Sequence, residues 1–72
     1  MTNTALLEEY IQKSGLKKKH IAEQLGLTAY SFAQKVNNVT EFKASEIIKL
    51  CEILSIDSDQ AKNAIFFAAK VD

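Results

Sequence analysis

The segment Leu16-Lys-Lys-Lys-His-Ile-Ala-Glu-Gln-Leu-Gly-Leu-Thr-Ala-Tyr-Ser-Phe-Ala-Gln-Lys-Val-Asn-Asn38 decides the fold. Ile21, Ala22 and Leu25 recur at helical spacing and predict a helix over about Lys17 to Gln24, with Leu16 leading in. Gly26 follows where the chain must turn sharply with a positive φ, which glycine adopts without steric cost. Leu27 points back inward, and Thr28 is a suitable N-cap for a further helix running to about Val36. That helix buries Phe32 and Val36, four residues apart. Ala22 is small, as a close crossing of the two helices requires. Asn37 and Asn38 tolerate the left-handed backbone that stops a helix. The pattern I-A-x-x-L-G-L-x-x-x-x-F therefore predicts a helix-turn-helix between about Leu16 and Asn38.

The rest of the chain reads as helix as well. Thr2, Asn3 and Thr4 offer caps for a first helix with Leu6, Leu7, Tyr10 and Ile11 on one face, closed by Gly15. After a loop through Val39, Thr40, Glu41 and Phe42, Ser45 lies near the start of a fourth helix, about Ala44 to Leu54. Ile47, Leu50, Cys51 and Leu54 form its apolar stripe. Asp57 or Ser58 caps a fifth helix running to about Phe67. The expected fold class is all-α: a compact five-helix bundle in one domain, residues 1–72. That length is near the lower limit for a self-sufficient core and leaves no room for a cleft between two domains.

Composition narrows the function classes. The chain has no proline and is 47% hydrophobic, as a folded helical domain requires. Its nine basic residues are all lysine and are balanced by nine acids, so the formal net charge is zero. A dedicated DNA binder of this size is ordinarily basic, because neutralising phosphates supplies much of its affinity. The single cysteine, Cys51, permits no intrachain disulfide and suits a reducing compartment. Met1 to Ile11 lacks the pattern of a secretory signal, and no apolar run reaches membrane-spanning length. A soluble cytoplasmic protein with no membrane partner is the expectation.

The segment Leu16–Asn38 resembles the Cro/repressor helix-turn-helix family. More narrowly, Phe32-Ala-Gln-Lys-Val-Asn-Asn38, Glu41-Phe-Lys-Ala-Ser-Glu-Ile-Ile-Lys-Leu-Cys-Glu-Ile-Leu54 and Ile65-Phe-Phe67 resemble small regulators of temperate phages of Gram-positive bacteria. The likeness is to antirepressors, or modulators of repression, of the lactococcal-phage kind, and it spans nearly the whole chain. It implies a Cro/repressor-like bundle and a role in the lysogenic/lytic switch, in the cytoplasm of the bacterial host. It also implies a partner, the cognate phage repressor, engaged at its own helix-turn-helix domain and kept from its operator. Direct binding of operator DNA, alone or in a mixed complex, is the alternative. A toxin–antitoxin or host regulator of the same fold is a third.

In that family the recognition helix presents its N-terminal residues to base edges. Carried onto this chain, the positions are Thr28, Ala29, Tyr30, Ser31, Ala33 and Gln34. Ala29 and Ala33 offer no side-chain hydrogen bond, and arginine, the strongest reader of guanine, is missing. Gln34 is the one good reader of adenine; Thr28 and Ser31 suit caps or phosphate contacts. Lys17, Lys18 and Lys19, with Lys35, form the candidate phosphate-facing set, and the bland alternative is a solvated face. Three lysines at a helix N-terminus oppose its dipole, which points to a nearby anion. Tyr30 between small residues suits a protein contact, unless it packs on its own domain.

No catalytic constellation or phosphate loop is present, so no enzymatic activity, small-molecule substrate or cofactor is expected. His20 has no companion at metal spacing and should lie at the surface, and no metal is expected. Cys51 falls on an apolar stripe and reads as core. Glu46 and Glu52 bracket Lys49 and suit weak surface pairs. In Ile65-Phe66-Phe67-Ala-Ala-Lys-Val71, one or two apolar side chains should close the core against the first helix. The remainder would suit a homodimer contact.

Overall fold

In the computed structural model, residues 1–68 are described, and they form five α-helices and no strand. These are α1 (Thr4–Ser14), α2 (Lys18–Gln24), α3 (Ala29–Val36), α4 (Ala44–Ile53) and α5 (Asp59–Phe66). All five expected helices are present, within a residue or so at each end. Ala69, Lys70 and Val71, included in the expected C-terminal patch, lie outside the described residues.

Local chemistry sets the helix starts. The side chains of Asn3, Thr28 and Ser58 accept hydrogen bonds from the N–H groups of Leu6, Ser31 and Ala61, capping α1, α3 and α5. At the start of α4 the Glu46 carboxylate reaches back to accept from the Lys43 N–H at 2.8 Å. α2 begins after Lys17 with no side-chain cap.

One hydrogen-bond scheme ends α2, α3 and α4. In α2 the Gly26 N–H donates to Glu23 and the Leu27 N–H to Ala22; in α3 Asn38 donates to Lys35 and Val39 to Gln34; in α4 Ser55 donates to Glu52 and Ile56 to Cys51. Each closure needs one residue in the left-handed region. Gly26 supplies it at φ 72°, Asn38 at 64° and Ser55 at 57°. The expected positive φ at Gly26 and the stop at Asn38 are both observed.

The core draws on every helix. Leu7, Ile21, Phe32, Leu50 and Ile65 are fully buried at its centre, each worth about 1.5–3 kcal/mol of transfer free energy. Ala22 is buried as well, which lets α2 and α3 pack closely. Phe42, from the α3–α4 loop, stands edge-on to Phe32 at 6.1 Å between centroids and to Phe66 at 5.7 Å. Ile65 and Phe66 close the core as anticipated, and α5 packs on α1, while Phe67 is exposed. The Asn3 N–H donates to the Ile65 carbonyl at 2.6 Å, joining the start of the chain to α5. A radius of gyration of 11.2 Å agrees with the ~11 Å expected for one folded domain of this length.

Candidate partner-binding surface

The residues picked out by the sequence fall into three environments. Ala29, Tyr30 and Ala33 are solvent-exposed on α3, with Tyr30 retaining 75% of its accessible surface. Tyr30 does not pack into its own domain. With Ala33, Gln34, Asn37 and Val39 it lines a shallow, largely apolar depression. Val39, 68% exposed, is a member that the sequence reading missed. It follows the left-handed Asn38, so its direction depends on how the chain leaves α3.

The polar side chains of this helix and its cap are placed differently. The Thr28 hydroxyl caps the helix by accepting from the Ser31 N–H at 3.0 Å. Gln34 is half-buried, and its Oε1 is shut away from solvent without a hydrogen-bond partner. Reading adenine takes both the donor and the acceptor of the amide. In this conformation the Oε1 faces the protein, so the donor and acceptor are not displayed together.

The lysines separate into two groups. Lys17, Lys18 and Lys19 are exposed at the start of α2, beside the exposed His20. Lys18 donates to the Glu8 carboxylate of α1 at 2.7 Å. An acid of the chain itself thus meets part of the unfavourable dipole contact, a solvent-exposed pairing of modest strength. Lys17 and Lys19 form no ion pair within the described residues.

Lys35 departs from the expectation. It is not available to a phosphate: only 8% of its surface is exposed. Its Nζ donates to the Glu46 carboxylate at 2.7 Å and to the Glu41 carbonyl at 3.2 Å. The reason is its place on α3, at i+3 from Phe32 and next to Val36, on the stripe that faces the core. A cation there needs a buried acid. Glu46 supplies it, and so is not a surface partner of Lys49. Burial pushes the Glu46 carboxyl up. Hydrogen bonds from Lys35 and the Lys43 N–H, with the charges of both lysines, outweigh it and hold the group below its ordinary value.

Cys51 is buried in the core, and burial raises its thiol pKa, only partly offset by the charge of Lys62. Such a thiol is a packing group rather than a nucleophile. Among the described residues no cluster of three His, Cys, Asp or Glu side chains is placed to hold a metal, and no helix is long and apolar enough to cross a membrane.

Comparison with family models, with curated proteins and with solved structures returns no match.

Proposed function

We propose that α2, the Gly26 turn and α3 constitute a helix-turn-helix of the Cro/repressor kind. On this reading the chain is a transcriptional regulator of a temperate-phage genetic switch and works by protein–protein interaction. Acting as an antirepressor in the cytoplasm of the bacterial host, it binds the cognate repressor at its DNA-binding domain and denies it the operator. Its action is binding, not catalysis. The observation that carries the proposal is the exposed Tyr30 between Ala29 and Ala33, at the place where a DNA reader carries hydrogen-bonding side chains. An exposed aromatic ring with small neighbours is the composition of a protein-contact anchor. The withdrawal of Lys35 and the half-buried Gln34 amide both weaken direct readout of DNA.

One observation favours a second reading. Lys17 and Lys19 are exposed at the start of α2, so a Cro-like protein would have two cations for the phosphate backbone. Gel-shift at physiological salt, with operator DNA, this chain and the repressor in all combinations, separates the two. The antirepressor reading expects no specific shift from the chain alone and loss of the repressor's shift on its addition. Tyr30→Ala should abolish that loss and leave the fold intact. A tight, sequence-specific shift by the chain alone would overturn the reading in favour of the second.

A further inference from the structure

We infer that the buried Lys35–Glu46 pair is a positioning device that fixes the α3–α4 loop so that Val39 completes the binding surface around Tyr30. The inference rests on the reading of that surface as the partner site. Three pieces of chain converge on the pair. Lys35 comes from α3, the Glu41 carbonyl from the loop, and the Lys43 N–H from the start of α4; Glu46 Oε1 accepts from both Lys35 and Lys43. Both side chains are about nine-tenths buried, at 10% and 11% exposure.

A pair of this kind adds little stability, since desolvating two charges offsets most of their attraction. What it adds is direction. Apolar contacts tolerate a sliding loop, whereas two hydrogen bonds on one carboxylate oxygen and two from one ammonium set where Glu41 and Lys43 lie relative to α3. Val39 is held between that anchor and the end of α3, where the Val39 and Thr40 N–H groups both donate to the Gln34 carbonyl, at 2.9 and 3.3 Å. A preformed surface binds without the cost of ordering it.

The test replaces the charges and keeps the volume. In Lys35→Met/Glu46→Leu the Glu41 carbonyl and the Lys43 N–H are near enough to the surface to be hydrated. The melting midpoint should therefore stay within about 5 °C of the parent. The amides of Val39 and Thr40 should exchange with deuterium about tenfold faster. Affinity for the repressor's DNA-binding domain, measured by titration calorimetry, should fall about tenfold. Glu46→Asp keeps the charge and draws the carboxylate back by one methylene. It should move both readouts in the same direction by less, and it decides the matter if the double variant does not fold. Unchanged exchange at Val39 and Thr40 overturns the inference, as does faster exchange with undiminished affinity. Tyr30→Ala run in parallel keeps the two questions apart. If it binds the repressor as well as the parent, the partner-site reading fails, while the exchange arm still decides whether the pair positions the loop.

Discussion

The two ends of α3 are built by different means although the turns beside them share one hydrogen-bond scheme. At the N-terminal end everything is local. Gly26 turns the chain with positive φ, Thr28 caps, and each partner lies within five residues along the sequence. At the C-terminal end the same closure is made by Asn38, a residue that meets steric resistance in the left-handed region. What holds it there comes from far away in sequence. The Asn38 side chain accepts from the Thr2 N–H at 2.8 Å and donates to the Thr2 carbonyl at 2.7 Å, and Lys35 reaches Glu46 across the loop. A turn can thus be encoded by a residue that suits its backbone, or by a less suitable one secured through tertiary contacts. The second kind is the more easily broken from a distance.

The sharpest way to break the C-terminal end is Glu46→Ala, which leaves the Lys35 ammonium buried without its acid. We expect a loss of about 3 kcal/mol in urea unfolding, several times the effect of removing an exposed acid such as Glu52. Asn38→Ala follows, with about 2 kcal/mol from the two lost bonds to Thr2 and the residual left-handed strain. Asn38→Gly should recover part of this by removing the strain alone. At the local end Gly26→Ala should cost about 1–2 kcal/mol, and from backbone strain only, because a Cβ there meets nothing within 4 Å. If Gly26→Ala proved costlier than Asn38→Ala in the same urea unfolding series, the contrast between the ends would be lost.

The smallest effect is a dependence on pH. The Glu46 carboxyl is held below its ordinary value of 4.5 in the folded chain, so the folded state binds fewer protons than the unfolded one as the medium is acidified. Its stabilising contribution is complete above that ordinary value and is lost as pH falls through the lowered one. Glu46→Gln should flatten this acid limb of the stability curve, measured as the denaturation midpoint from pH 6 to pH 2.5. An unchanged limb would mean that the pair does not discriminate between the two protonation states of Glu46.

The contrast also explains what was legible in advance. The α2 apolar face, the Gly26 turn and the Thr28 cap depend on neighbours a few residues away and were readable from spacing alone; the Asn38 stop was readable from its residue type, but the Thr2 contacts that secure it were not. Lys35 was misassigned because a lysine on α3 suggests solvent. Its position between Phe32 and Val36 on the buried stripe was the available signal, and a cation there calls for an acid that lies eleven positions on in sequence. Val39 was overlooked for a related reason. A lone valine in a loop looks unremarkable until the loop is anchored and shown to deliver it beside Tyr30.

By itself the sequence determined the five helices, most of their caps and the α2–α3 turn at Gly26, because 3.6-residue periodicity, capping and positive φ are short-range properties of the chain. It also determined that Ala29, Tyr30 and Ala33 share the outer face of α3, which follows from helix geometry once Phe32 and Val36 face inward. Only the tertiary structure decided which cations remain outside, that Glu46 is an internal counter-ion, and that Val39 joins the surface of α3. Those outcomes depend on charges and loops meeting across the fold, where the cost of burying a charge is set by a partner that no local pattern names.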